Sequence, residues 1–160
     1  MIRRLRTHSA AAMVMAALGA LGAAEAAQPP ATAPADIIVR DAWVRESTAN
    51  RRTSAAYLTI ENRSARDMTL TGVAIDGAKR VELHAISHDG GQGTMSSVSQ
   101  VRIPAHGSVE LAPGGLHAMV FDIGAPFERG KTVTMTLRFG EKQIKKVPAI
   151  VRPLSATAAR

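Results

Sequence analysis

The sequence predicts an all-β fold, an antiparallel sandwich or barrel, and three observations carry the prediction. Between Ile37 and Val151 no stretch keeps a helical period of apolar residues. Short runs alternate apolar and polar residues instead; in the cleanest, Val133, Met135, Leu137 and Phe139 alternate with Thr132, Thr134, Thr136 and Arg138. Turn residues interrupt these runs at close intervals, at Asn62-Arg63-Ser64, Asp76-Gly77, Asp89-Gly90-Gly91, Pro113-Gly114-Gly115 and Phe139-Gly140. Many short strands with frequent turns are the mark of such folds.

Taken in chain order, residues 1–26 read as a secretory signal peptide. Arg3, Arg4 and Arg6 make a positive start, Ala10 to Leu21 is an uncharged apolar run, and Ala24-Glu25-Ala26 places small residues where a signal peptidase cuts. The run falls short of the ~20 residues of a membrane span. The Arg3-Arg4 pair hints at twin-arginine export, but a single dipeptide favours the general route. Residues 27–36 form a Pro/Ala-rich linker. The folded domain is expected over 37–151, followed by a polar tail, 152–160.

Within the domain the expected strands are Ile37 to Val44, a run lined by Ala56, Leu58 and Ile60, a run with Met68, Leu70 and Val73, then Arg80 to Ala85, Thr94 to Ile103, Ser108 to Leu111, Leu116 to Ile123, Lys131 to Phe139 and Gln143 to Val151. Pro148 suits an edge strand, since it cannot donate to a ladder. Lys142, Lys145 and Lys146 read as a solvated, charged edge.

The chain has 160 residues, room for one domain of ordinary size. Its formal charge is +7, and removing residues 1–26 leaves +5. That balance favours acidic partners or anionic surfaces, not nucleic acid, because no aromatic residues interleave with a basic stripe. There is no cysteine. Disulfides, thiolate nucleophiles, zinc–thiolate sites, iron–sulfur clusters and blue-copper centres are thereby excluded.

Beyond the leader the chain keeps His84, His88, His106 and His117, with Met68, Met95, Met119 and Met135. Residues two apart on a strand share a face, so His117 and Met119 project side by side. Taken alone, that pair reads as a core methionine beside a capped or surface histidine. A hairpin of Val81–Ala85 with Thr94–Val98 would bring His84 near Met95. Met68 and Met135 sit in apolar stripes, whereas Met95 lies among Gly93, Thr94, Ser96 and Ser97, with no apolar neighbours at strand spacing. His88 and His106, in a loop and a turn, read as solvated. Two imidazoles and two thioethers make a soft, neutral donor set that suits Cu(I) and binds Zn²⁺, Mg²⁺ or Ca²⁺ poorly. Such a site should weaken as pH falls toward the free imidazole pKa of ~6.5.

The four residues also resemble a known family, the periplasmic PCu(A)C-type copper chaperones. The family's motif is a His, ten residues, a Met, twenty-one residues and His-x-Met; His84, Met95, His117 and Met119 match it at both spacings. The flanking segments Asp41-Ala42-Trp43-Val44-Arg45, Ala55-Ala56-Tyr57-Leu58, Val81-Glu82-Leu83-His84 and Pro113-Gly114-Gly115-Leu116-His117 are similar too. The resemblance spans about residues 37–151. It implies a cupredoxin-like antiparallel β-sandwich of Greek-key type with Cu(I) as cargo on those four residues. It also implies delivery to a copper-accepting protein for the copper centres of cytochrome c oxidase, with a thioredoxin-like copper chaperone as a further partner. A monomer is expected. The chain departs from the family in two places: Ala85 and Ile86 follow His84 where many members have a Met, and the tail RPLSATAAR has neither His nor Met. A second site for Cu(II) would need His88 or His106.

Other classes fit less well. A metal-free exported binding or adhesion module shares the fold and is the main alternative. An electron-transfer cupredoxin would need a thiolate. An enzyme is not expected: Ser87-His88-Asp89 is adjacent in sequence, which does not give triad geometry, and Gly90-Gly91-Gln92-Gly93 lacks the Lys-Ser/Thr and helix of a phosphate loop.

Overall fold

The computed structural model describes residues 36–88 and 93–156. The expected leader, nearly all of the linker, the Asp89-Gly90-Gly91 turn and the last four residues of the tail lie outside the described residues. Ten strands are present among the described residues and no helix: β1 (Ile37–Arg45), β2 (Ser54–Asn62), β3 (Met68–Ile75), β4 (Ala78–Ser87), β5 (Thr94–Val98), β6 (Val101–Ile103), β7 (Ser108–Leu111), β8 (His117–Ile123), β9 (Thr132–Phe139) and β10 (Gln143–Arg152).

Hydrogen bonding runs in the order β5-β4-β8-β2-β1-β10-β9-β3-β6, with β7 also paired to β2. Every pairing is antiparallel except β1 with β10, which run side by side in the same direction over Trp43–Arg45 and Ile150–Arg152. The path doubles back on itself. Only Asp76 and Gly77 separate β3 from β4, yet the two do not pair: β3 joins β9 and β6, while β4 joins β8 and β5. The turn therefore carries the chain from one layer to the other. Gly77 has φ +90°, and a Cβ there would meet the Phe127 ring at 3.3 Å, so both backbone and space call for glycine.

The core fills the space between the layers. Leu58, Ile60, Leu83 and Val120 come from one side, and Leu70, Ile103, Met135, Leu137 and Phe139 from the other. The alternation read in Lys131 to Phe139 is realised: Met135, Leu137 and Phe139 are fully buried, with Val133 packed at the margin. Burying aliphatic side chains of this size stabilises by roughly 1.5–3 kcal/mol each. Asn62 is buried among them and fully used. Its amide donates to the carbonyls of Arg66 (2.8 Å), Pro104 (3.0 Å) and Ile103 (3.3 Å), and its oxygen accepts from Ser64.

Two expectations change. The run Thr94 to Ile103 is not one strand: it breaks at Ser99-Gln100, with β5 on the edge of one layer and β6 on the edge of the other. No Gly or Pro marks the crossing. Pro148, Lys145 and Lys146 belong to an interior strand, but to the half of β10 that pairs with β9 before β1 joins at Ile150. The missing N–H of Pro148 thus costs no ladder bond to β1.

A bulge between Arg40 and Trp43 shifts the register of β1, with Asp41 at φ 50°, a conformation Asp tolerates better than most. Trp43 and Val44 are consequently both buried, on opposite faces. Val44 enters the main core, whereas Trp43 joins Ala55 and Tyr57 in a second, smaller cluster on the outer face.

Candidate metal centre

The outer face of the β5-β4-β8-β2 layer carries the candidate site. In β4, Leu83 points into the core and its neighbours Glu82 and His84 point away; in β8, Ala118 and Val120 point in and His117, Met119 and Phe121 point away. Register places His84 directly opposite His117 and Glu82 opposite Met119. The two imidazole centroids are 6.0 Å apart, their planes inclined by 37°. On β5, Ser97 stands opposite His84 and Met95 opposite Ile86, so Met95 shares this face one diagonal step from His84. The expected hairpin is present.

Met95, His117 and Met119 line one open cleft of about 280 Å³, with Ile86, Ala55, Tyr57 and Pro113 among its other walls. His84 is not part of that lining; it stands beside His117 along the sheet. The four predicted residues thus gather on one face of three neighbouring strands. Met95 is the open member, 49% exposed on an edge strand, whereas His117 is 5% exposed. The other two methionines belong with the core: Met135 is fully buried within it and Met68 packs against its margin.

The loop Pro113-Gly114-Gly115 sets His117. Gly114 has φ +83°, and the turn is closed by the Gly115 N–H on the Ala112 carbonyl (3.1 Å) and the Ala112 N–H on the Leu116 carbonyl (2.7 Å). The Gly115 carbonyl then lies 2.9 Å from His117 Nδ1. A carbonyl only accepts, so Nδ1 carries the proton and Nε2 keeps the lone pair. Beside it stands Tyr57, its ring centroid 6.5 Å from that of His117, packed at 4.3 Å on Trp43 and lying beneath the Arg45 guanidinium. Burial pushes the Tyr57 phenol above its ordinary range, which keeps it neutral.

His84 differs. Its Nε2 is 3.0 Å from Glu82 Oε2, and its Nδ1 is buried with no hydrogen-bond partner. The hydrogen bond from His84, and then that from Arg80, hold the Glu82 carboxyl below the usual carboxylate range. A buried nitrogen without a partner costs ~1–3 kcal/mol, so this atom suits a ligand. Among the described residues no three His, Asp or Glu side chains converge as a metal cluster. The imidazoles and thioethers share this region with two carboxylates, Glu82 beside His84 and Glu46 in the cleft wall. Arg45 and Arg51 also line the cleft, and neither has an ion-pair partner among the described residues.

His88 and His106 are exposed; His88 Nε2 lies 3.3 Å from the Gly114 carbonyl, and His106 sits in a turn at φ 52°. Sequence reasoning left Glu82, Tyr57 and Arg45 without a role at the site. The placement of Glu82 two residues before His84, on the same side of one strand, is the signal that could have found the first.

Residues 37–151 match the model of the family described as "Putative lipoprotein LpqE-like". The chain belongs to the LpqE-like family. The Leifsonia xyli subsp. xyli (strain CTCB07) protein "Putative lipoprotein Lxx21020" is 30% identical over 155 residues, covering 96% of this chain and 92% of that one. Among solved structures, the apo PCuAC domain of PmoF2 superposes with a TM-score of 0.65 at 24% identity, covering 78% of this chain and 95% of the domain, a likeness of fold. The solution structure of CuI-DR1885 from Deinococcus radiodurans is 31% identical, with a TM-score of 0.59 over 81% of this chain and 83% of that one. The LpqE-like chain therefore has the PCuAC-type, cupredoxin-like β-sandwich.

Proposed function

We propose that this LpqE-like protein is an exported metallochaperone that carries one Cu(I) on His84, Met95, His117 and Met119 and passes it to an acceptor protein. The observation that carries the reading is the gathering of two register-paired imidazoles and two thioethers on the outer face of one sheet. The copper(I) form of the 31% identical DR1885 supports the same cargo.

The chemistry of the donors favours a soft ion of low charge. Thioether and neutral imidazole bring no charge of their own, and Arg45 and Arg51 in the cleft wall, without an ion-pair partner among the described residues, add repulsion that doubles for a divalent cation, while the nearby carboxylates Glu46 and Glu82 are paired with Arg129 and Arg80. Holding is moderate by the same logic, as a carrier requires. Release proceeds by exchange of ligands: Met95, half exposed on the edge strand, is the side from which an acceptor's thiolate or thioether reaches the ion. No bond is made or broken in a substrate, so the protein is a carrier and not an enzyme. The positive start, apolar run and small residues of 1–26 support export to the periplasm with cleavage near Ala26, and the copper centres of cytochrome c oxidase are the proposed destination, with a thioredoxin-like copper chaperone as co-worker.

Anaerobic Cu(I) titration against a competing chelator tests the reading. The parent is expected to take up one equivalent, and the Met95→Leu, Met119→Leu double variant to lose the competition. Equal performance of the two would leave the metal-free binding module as the better account.

A further inference from the structure

We infer that Glu82 is a positioning residue that selects the nitrogen of His84 facing the ion, so that His84 binds through Nδ1 and His117 through Nε2. The inference rests on the copper reading above for its purpose, but its geometry stands in the metal-free protein. Glu82 Oε2 lies 3.0 Å from His84 Nε2. A carboxylate accepts and does not donate, so the N–H of the neutral ring belongs on Nε2 and the lone pair on Nδ1. Nδ1 is the nitrogen that is buried and without a hydrogen-bond partner.

The carboxylate is itself held. Arg80, Glu82 and His84 alternate along the outer face of β4, and the Arg80 guanidinium pairs with Glu82. Arg80 stacks at 4.0 Å over Phe121, its register partner on β8, and the Phe121 ring centroid lies 6.3 Å from that of His84. Phe121, Arg80, Glu82 and His84 thus close a ring of contacts beside the cleft. His117, held by the Gly115 carbonyl through Nδ1, has the opposite tautomer. Outer partners that orient a ligand histidine commonly carry 10–100-fold in metal affinity.

Long-range ¹H–¹⁵N correlation spectra of the metal-free, ¹⁵N-labelled protein at neutral pH report the tautomers directly. The expected result is Nε2–H for His84 and Nδ1–H for His117, with His84 becoming a mixture in Glu82→Ala and His117 unchanged. Glu82→Gln, whose amide oxygen still accepts, should restore much of the Nε2–H form. Cu(I) competition should then show Glu82→Ala weaker by at least about tenfold, and Glu82→Gln in between. An Nδ1–H tautomer for His84 in the parent, or one indifferent to Glu82→Ala, overturns the inference even where the parent binds Cu(I). A parent that fails to bind Cu(I) with the expected tautomers overturns the copper reading instead.

Discussion

His84 and His117 face each other across the β4–β8 pair as direct register partners, their ring centroids 6.0 Å apart. If one ion joins them, their contributions to binding must be coupled. Single His84→Ala and His117→Ala variants should each weaken Cu(I) binding by more than about tenfold, since even an outer partner of a ligand carries that much. The double variant should lose less than the sum in a double-mutant cycle. Simple additivity would mean that the two rings serve separate sites.

The methionines separate into two kinds. Met119→Leu should weaken Cu(I) binding and leave stability nearly unchanged. Met135→Leu should do the reverse, leaving copper affinity at the parental value and costing under about 1.5 kcal/mol in urea unfolding. Met135→Ala, which leaves a cavity in the sealed core, should cost about 2–5 kcal/mol.

Copper should stabilise the fold through linkage. At free Cu(I) 100-fold above the dissociation constant the gain is ~2.7 kcal/mol, a rise in Tm on the order of 10 °C for a domain of this size. The Met95→Leu, Met119→Leu variant should show little of that rise in an anaerobic melt, with an unaltered metal-free Tm.

How much of this was legible in sequence depends on what each residue must satisfy. The alternation of Lys131 to Phe139 reports burial directly, and β9 follows it. The crossing at Ser99-Gln100 was hidden, because a chain can change layers without Gly or Pro when both halves end as short edge strands. The Asp76-Gly77 turn was visible, but its meaning was not: the same dipeptide serves a hairpin or a corner, and only the partners of β3 and β4 decide. The spacing of His84, Met95, His117 and Met119 singled them out in the sequence, and the structure sets all four on one face of three neighbouring strands. Tyr57 was not singled out, since its neighbours Trp43 and His117 come from other strands, whereas the position of Glu82 two residues before His84 was a local signal left unread.

Asn62 offers a test of the interior away from the site. Its amide satisfies three carbonyls and its oxygen caps the Ser64 turn. Asn62→Ala should destabilise by at least about 2 kcal/mol in urea unfolding, given ~1–3 kcal/mol for each buried group left unsatisfied. A neutral result would show that water takes over those contacts.

Acid stability should depend on Asp67. Its carboxylate accepts the Ala105 N–H at 2.9 Å and pairs with Arg102 at 2.7 Å, and these bonds, the backbone one foremost, hold its pKa below the ordinary value. A lowered folded-state pKa contributes stability above the unfolded value of about 3.9 and loses it as pH falls through the folded value. Asp67→Asn should therefore unfold at lower urea than the parent at pH 7, and the gap should close as pH falls well below about 4. A gap that persists in acid would assign the effect to packing.

The strict in-and-out alternation of β8 has a bearing on fidelity. Ala118 and Val120 pack inward while His117 and Met119 look outward. Sliding the strand by a single residue would drive an imidazole and a thioether into oil and hand two small hydrophobes to solvent. The greasy half of the strand thus acts as a ratchet on the half that bears His117 and Met119, and the alignment of these candidate donors is proofread by folding itself.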